Sequence, residues 1–124
     1  MNVVDSCGWL EYFGRGMHAE QYAALIRNTA ELVVPTVCIY EVFKRIALQR
    51  NDEEALKAIG WMSLGHVVDL TQEIALLAAT LSMEHKMPMA DSMILATANL
   101  YNAILWTQDE HFKGIEGVQY VEKI

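Results

Sequence analysis

With 124 residues, 53% of them hydrophobic and 20% charged, the chain has globular composition and enough length to bury a core without disulfides, which argues against a disordered or membrane protein. A net charge of −7 counts against a general nucleic-acid binder, whose phosphate contacts need a basic surface. It leaves room for a protein whose acids converge on divalent cations that themselves bind phosphate, and acidity also suits a basic protein partner.

Short β-branched runs alternate with longer helical patterns, which predicts a parallel sheet covered by helices. The runs are Val3-Val4, Leu32-Val33-Val34, Val67-Val68, Ile104-Leu105-Trp106 and Val118 to Val121, giving five candidate strands. Between the first two, Cys7 to Phe13 reads as a short helix and His18 to Asn28 as another, with Tyr22, Leu25 and Ile26 on one face. After Pro35, Thr36 is a candidate N-cap for a helix to about Arg50, and Asp52 for one ending near Gly65. Thr71 suits the cap of a helix over Gln72 to His85, rich enough in Leu and Ala to be buried on much of its surface. Pro88 resets the chain before a helix from about Met89 to Tyr101. No linker or repeat divides residues 1–124, so a single domain is expected.

The start, MNVVDSCGW, lacks the basic and long apolar regions of a secretory signal, and no apolar run is long enough to span a bilayer, so the expected location is cytoplasmic. In that reducing compartment Cys7 and Cys38 are expected to be buried thiols.

Most of the sixteen acids fall on polar faces or in loops. Asp5 ends the first strand, where open parallel sheets bind ligands, although it is equally placed to cap the helix that follows. Asp109 lies just beyond the fourth strand, either beside Asp5 if the two strands are neighbours or simply as a turn residue, and Thr107 can orient one of these acids through its hydroxyl. Asp91 stands in the first turn of its helix, where the macrodipole alone favours an acid. Glu41 is embedded in the apolar stretch Val37 to Phe43, where an unpaired carboxylate is costly unless Lys44 or Arg45 pairs with it. If all four face one crevice, they need a counter-charge. A cluster of acids without accompanying cysteine or histidine suits Mg²⁺ or Mn²⁺ better than zinc. Such a site hydrolyses phosphodiesters with a metal-activated water.

In order and spacing, VVDSCGWLEYF, PTVCIYEVFKRI and MPMADSMILATANLYNAILWTQDEHF resemble the PIN domain family, and within it the VapC-type toxins of toxin–antitoxin pairs. The resemblance runs nearly the whole chain. It implies an α/β three-layer sandwich with a five-stranded parallel sheet, a Mg²⁺ or Mn²⁺ site and endonucleolytic cleavage of RNA. It assigns the metal-binding roles to Asp5, Glu41, Asp91 and Asp109 and a supporting hydroxyl to Thr107. It further implies a homodimer silenced by a small VapB-like antitoxin, for which Trp9, Tyr12 and Phe13 are candidate groove residues, unless they are plain core.

Three rivals stand beside this reading. One is a PIN nuclease of RNA processing with no antitoxin; another is a binding module that kept the fold but not catalysis, against which four intact acids speak. The third is a phospho-acceptor receiver domain built on Asp69 at the end of the third strand. A receiver wants an acidic pair after strand 1, whereas Asp5 is followed by Ser6 and Cys7, so Asp69 is better read as a turn residue leading into Thr71. The basic residues Arg15, Arg27, Lys44, Arg45, Arg50 and Lys113 look scattered, and the RNA target is open.

Overall fold

The computed structural model describes residues 1–123. Five strands form one fully parallel sheet: β1 (Asn2–Val4), β2 (Leu32–Pro35), β3 (His66–Val68), β4 (Ile104–Thr107) and β5 (Val118–Tyr120), in the order β3-β2-β1-β4-β5. Six helices connect them: α1 (Ser6–Phe13), α2 (Ala19–Arg27), α3 (Thr36–Gln49), α4 (Asp52–Met62), α5 (Gln72–His85) and α6 (Met89–Leu100). The chain steps from β1 outward to β3 and then returns to β4 on the other side of β1. With right-handed crossovers, α1 to α4 therefore cover one face and α5 with α6 the other. This is the expected α/β sandwich.

The core follows from the strand sequences. Val3, Val4, Leu32, Val33, Val34 and Leu105 are almost wholly excluded from solvent, as befits central strands covered on both faces. Gly8 lets α1 approach β1 closely, since a Cβ there would come within 2.6 Å of both the Val4 side chain and the Tyr22 ring. None of the described helices is long and apolar enough to cross a membrane.

Several local expectations are corrected. Helix α3 begins at Thr36 itself, because Pro35 has the extended backbone and fixed φ of a residue that leads straight from strand to helix; Thr36 makes no cap. The cap of α4 is Asn51, whose Oδ1 accepts the Glu54 N–H at 2.8 Å, leaving Asp52 in the first turn. That helix stops at Met62, and Gly65 instead packs tightly against Leu32 and Val34. Helix α5 is not buried over much of its surface: only Ile74, Ala78 and Leu81 are buried, while Leu76 is 64% and Met83 76% exposed. Packing chiefly against α6, it needs only one apolar stripe. Asp69 is exposed beyond β3, an edge strand, which removes the receiver reading because that phosphorylation site lies on a central strand.

Candidate active site

The direction of strand stepping reverses between β1 and β4, and the crevice at the carboxyl ends of strands flanking such a point is where open parallel sheets bind ligands. Val4 pairs with Trp106, and the Asp5 N–H continues the ladder to the Trp106 carbonyl at 3.0 Å. The next residues along, Asp5 and Thr107, are thus side by side. Asp109 follows two residues after Thr107. Helix α3 leaves β2, the other neighbour of β1, and presents Glu41 in its second turn; α6 presents Asp91 in its first. All four predicted acids line one cleft of about 480 Å³.

Each carboxylate is held by a named neighbour. Asp5, only 4% exposed, accepts the Ser6 N–H on Oδ1 at 2.8 Å and the Thr107 hydroxyl on Oδ2 at 2.7 Å. Asp5 caps α1 and lines the cleft at the same time, so the cap does not take its carboxylate away from the other acids. Thr107 also accepts the Asp109 N–H at 3.0 Å, so a single buried hydroxyl ties two of the acids together. Ser6 donates its hydroxyl to Glu41 Oε1 at 2.6 Å. Glu41 is half-buried, and neither Lys44 nor Arg45 pairs with it among the described residues. The helix turns it toward the cleft, out of the apolar surroundings that its sequence neighbours suggested.

Sequence reasoning missed His111. Its Nδ1 lies 2.9 Å from Asp91 Oδ2 and 3.2 Å from Asp109 Oδ1, and its backbone N–H caps Asp109 Oδ1 at 2.9 Å. The three side chains offer donor atoms within 4.8 Å of one another, a grouping able to hold a metal ion. Asp5 and Glu41 line the same cleft outside that tight group. The only signal available was the spacing Asp109-Glu110-His111, which becomes informative once the single 3₁₀ turn Glu110–Phe112 folds the imidazole back over Asp109.

Burial first, and then crowding of like charge, leaves its mark on proton affinity. Burial pushes the Asp5 carboxyl up to about 6, opposed by its bonds from Thr107, Ser6 and Cys7 and reinforced by the charge of Asp91. Burial and then the charge of Asp109 raise Asp91, opposed by His111. His111 is raised in turn by its hydrogen bond to Asp91 and the charge of Asp109. Cys7, in contact with Asp5 and Thr107, is pushed up to about 12 by burial and by Asp5, so it is a neutral thiol and no nucleophile at neutral pH. Cys38 is fully buried. The donor set is rich in oxygen, as a hard divalent ion prefers, but it includes the His111 imidazole, so the expected cluster of acids without histidine is corrected.

The aromatic residues of α1 divide. Trp9 is completely buried and stacks on Phe13, so it cannot line a partner groove; its ring fills the core beneath the helix. Tyr12 and Phe13 are half-buried.

Comparison with known proteins places this geometry among relatives. The PIN domain family matches residues 3–118. No curated protein sequence matches. A toxin–antitoxin complex from Klebsiella pneumoniae holds a chain 25% identical, with a TM-score of 0.83 over 99% of this chain and 100% of that one. VapBC from Salmonella typhimurium, solved bound to DNA, is 18% identical with a TM-score of 0.74, covering 98% of each chain. Mycobacterium tuberculosis VapC20, described as a sarcin-ricin loop cleaving toxin, is 14% identical with a TM-score of 0.75, covering 99% of this chain and 98% of that one.

Proposed function

This chain belongs to the PIN domain family, and we propose that it works there as a divalent-metal-dependent endoribonuclease, the toxin of a toxin–antitoxin pair. The observation that carries the reading is the convergence of Asp5, Glu41, Asp91 and Asp109 on one cleft at the strand ends. The likeness to a chain of a solved toxin–antitoxin complex and to one described as a sarcin-ricin loop cleaving toxin supports it.

Asp91 and Asp109 would hold Mg²⁺ or Mn²⁺, with Asp5 and Glu41 binding directly or through water. When bound, the ion lowers the pKa of a water for attack on a phosphodiester and steadies charge on the reacting oxygens. The chain supplies order around it. Thr107 fixes the Asp5 carboxylate, Ser6 fixes Glu41, and Asp109 is held through both its own N–H and that of His111. Tyr40, Lys44, Arg45 and Leu48 form the outer wall on the α3 side, where two cations face the incoming phosphate.

Purified protein incubated with a mixed RNA pool and Mg²⁺ or Mn²⁺ tests this. Wild type is expected to cleave, and Asp5→Asn and Asp91→Asn each to lose roughly 100-fold or more. Equal cleavage by all three removes the assigned site, and an inactive wild type in both metals removes the ribonuclease.

The same reading includes an antitoxin. An apolar groove on α3 and α4, lined by Ile39, Tyr40, Phe43, Leu48, Leu56 and Ile59, adjoins the acid cleft through Tyr40 and Leu48 and suits an amphipathic segment of that partner. A basic side chain from it would meet the carboxylates. The family resemblance also implies a homodimer, which light scattering of the purified chain would test.

A further inference from the structure

The cations of this acidic protein are not scattered. Arg15, Arg45, Arg50, Lys57 and Lys123 line a single groove of about 940 Å³ between α1, α3 and α4, and they are five of the nine Lys and Arg residues in the chain. A sixth, Lys44, lines the acid cleft, which shares Cys7, Leu10 and Arg45 with the groove, so the two form one continuous depression.

Three features point to a ligand rather than to solvation. Arg15, Arg45 and Arg50 have no ion-pair partner among the described residues, although the protein carries sixteen acids. Glu54 lines the groove but reaches Lys57 at 3.5 Å, and Glu11 accepts a hydrogen bond from Gln108. Arg15 has φ +54, a left-handed conformation costing a side-chain-bearing residue about 1 kcal/mol, between Gly14 and Gly16 where glycine would serve more cheaply. At the far side Trp61 presents an indole 62% exposed at the groove wall.

Resting on the ribonuclease reading, we propose that this groove is the track of a single RNA strand running into the acid cleft, with Arg15, Arg45 and Arg50 on its phosphates and Trp61 stacking a base. A row of unpaired cations beside one exposed aromatic is the combination that holds single strands without sequence preference. It also reconciles a net charge of −7 with a polyanionic substrate: repulsion from the acids is offset along one path, which aims the strand at the cleft.

The test is fluorescence anisotropy of a labelled single-stranded oligouridylate about a dozen nucleotides long, in EDTA so that the strand stays whole. Arg15→Gln/Arg50→Gln, at two exposed positions where the thermal melt is expected to stay unchanged, is expected to weaken binding roughly tenfold or more and to lower the log–log salt slope by about 1.4. Trp61→Ala should weaken binding roughly tenfold with the salt slope unchanged. Wild-type affinity and slope in the double variant, with wild-type cleavage, remove the track and leave the ribonuclease standing. Competition by polyglutamate but no binding of the RNA assigns the groove to an acidic protein segment and overturns the proposal. A wild type that neither binds nor cleaves RNA removes the reading on which the track rests.

Discussion

Thr107 donates its buried hydroxyl to Asp5 Oδ2 at 2.7 Å, across neighbouring strands and 102 positions of sequence. That bond draws the Asp5 proton affinity down against the larger effect of burial. In Thr107→Val the shape of the side chain is nearly kept, but Asp5 loses a donor and the Asp109 N–H loses its acceptor. The acid limb of the cleavage pH profile should move to higher pH, and the rate at neutral pH should fall about tenfold, the order expected for a partner that orients a ligand. Thr107→Ser should restore both. A valine variant with the wild-type profile would show that the hydroxyl only supports the fold.

The Asp5 carboxyl binds its proton more tightly in the folded state, at about 6, than in the unfolded chain, near 3.8. Between those values the folded state holds the extra proton, so stability falls as pH rises through the window and the full penalty, about 3 kcal/mol, applies above it. In EDTA, Asp5→Asn should therefore melt several degrees above wild type at pH 7.5 and close to it at pH 4. Mn²⁺ should raise the wild-type midpoint more at pH 7.5 than at pH 5, because protons compete for the same carboxylate. Differential scanning fluorimetry in EDTA at pH 7.5, 5 and 4 and in Mn²⁺ at pH 7.5 and 5 decides it. A variant that melts below wild type at pH 7.5 contradicts the assignment of Asp5 as a strained carboxylate.

How far the sequence carries depends on the scale of the interaction. The five β-branched runs all become strands, and those of β1, β2 and β4 are the plainest because central parallel strands must be apolar on both faces, a demand written locally. Asp5, Asp91 and Asp109 were legible because they stand at or just beyond a strand end or in a first helical turn, Glu41 because it interrupts an apolar stretch of helix, and the family pattern joined them. The groove cations were not: Arg15 lies in the turn after α1, Arg50 just past the end of α3 and Lys57 in α4, and only the packing of α1 against α3 and of α3 against α4 gathers them. The same holds for Trp9, whose spacing beside Asp5 suggests a surface role while the helix rotates it into the core. Exposure of Leu76 and Met83 was hidden for a related reason, since composition cannot tell which face of an apolar helix has a neighbour.

Gly8 carries a prediction about how the site is supported. A methyl group there would lie 2.6 Å from both Val4 and Tyr22, and neither can withdraw freely, because both are fully buried. Gly8→Ala should gain helix propensity yet lose a net 1–3 kcal/mol, about the cost of overpacking a core. Since Ser6 and Cys7 share that helix, the displaced turn should also weaken divalent-ion binding. Chemical denaturation measures the first effect and Mn²⁺ titration the second. A variant as stable as wild type would mean that α1 can lift away from β1 without cost.

Ser6 separates binding from folding. Its hydroxyl fixes one Glu41 oxygen at 2.6 Å, and without it the flexible glutamate can sample rotamers that face away from Asp91 and Asp109. Ser6→Ala removes only that hydroxyl, leaving the backbone N–H that Asp5 accepts. Stability in EDTA should therefore change by less than about 1 kcal/mol, while Mn²⁺ affinity should fall about tenfold, as for other residues that orient a ligand. The free Mn²⁺ signal in electron paramagnetic resonance reads the affinity directly, without reference to RNA cleavage. Glu41→Gln sets the scale, because it removes the charge as well as the orientation. If Ser6→Ala binds Mn²⁺ as tightly as wild type while Glu41→Gln does not, Glu41 is held in place by α3 alone; if both bind as wild type, Glu41 lies outside the metal site.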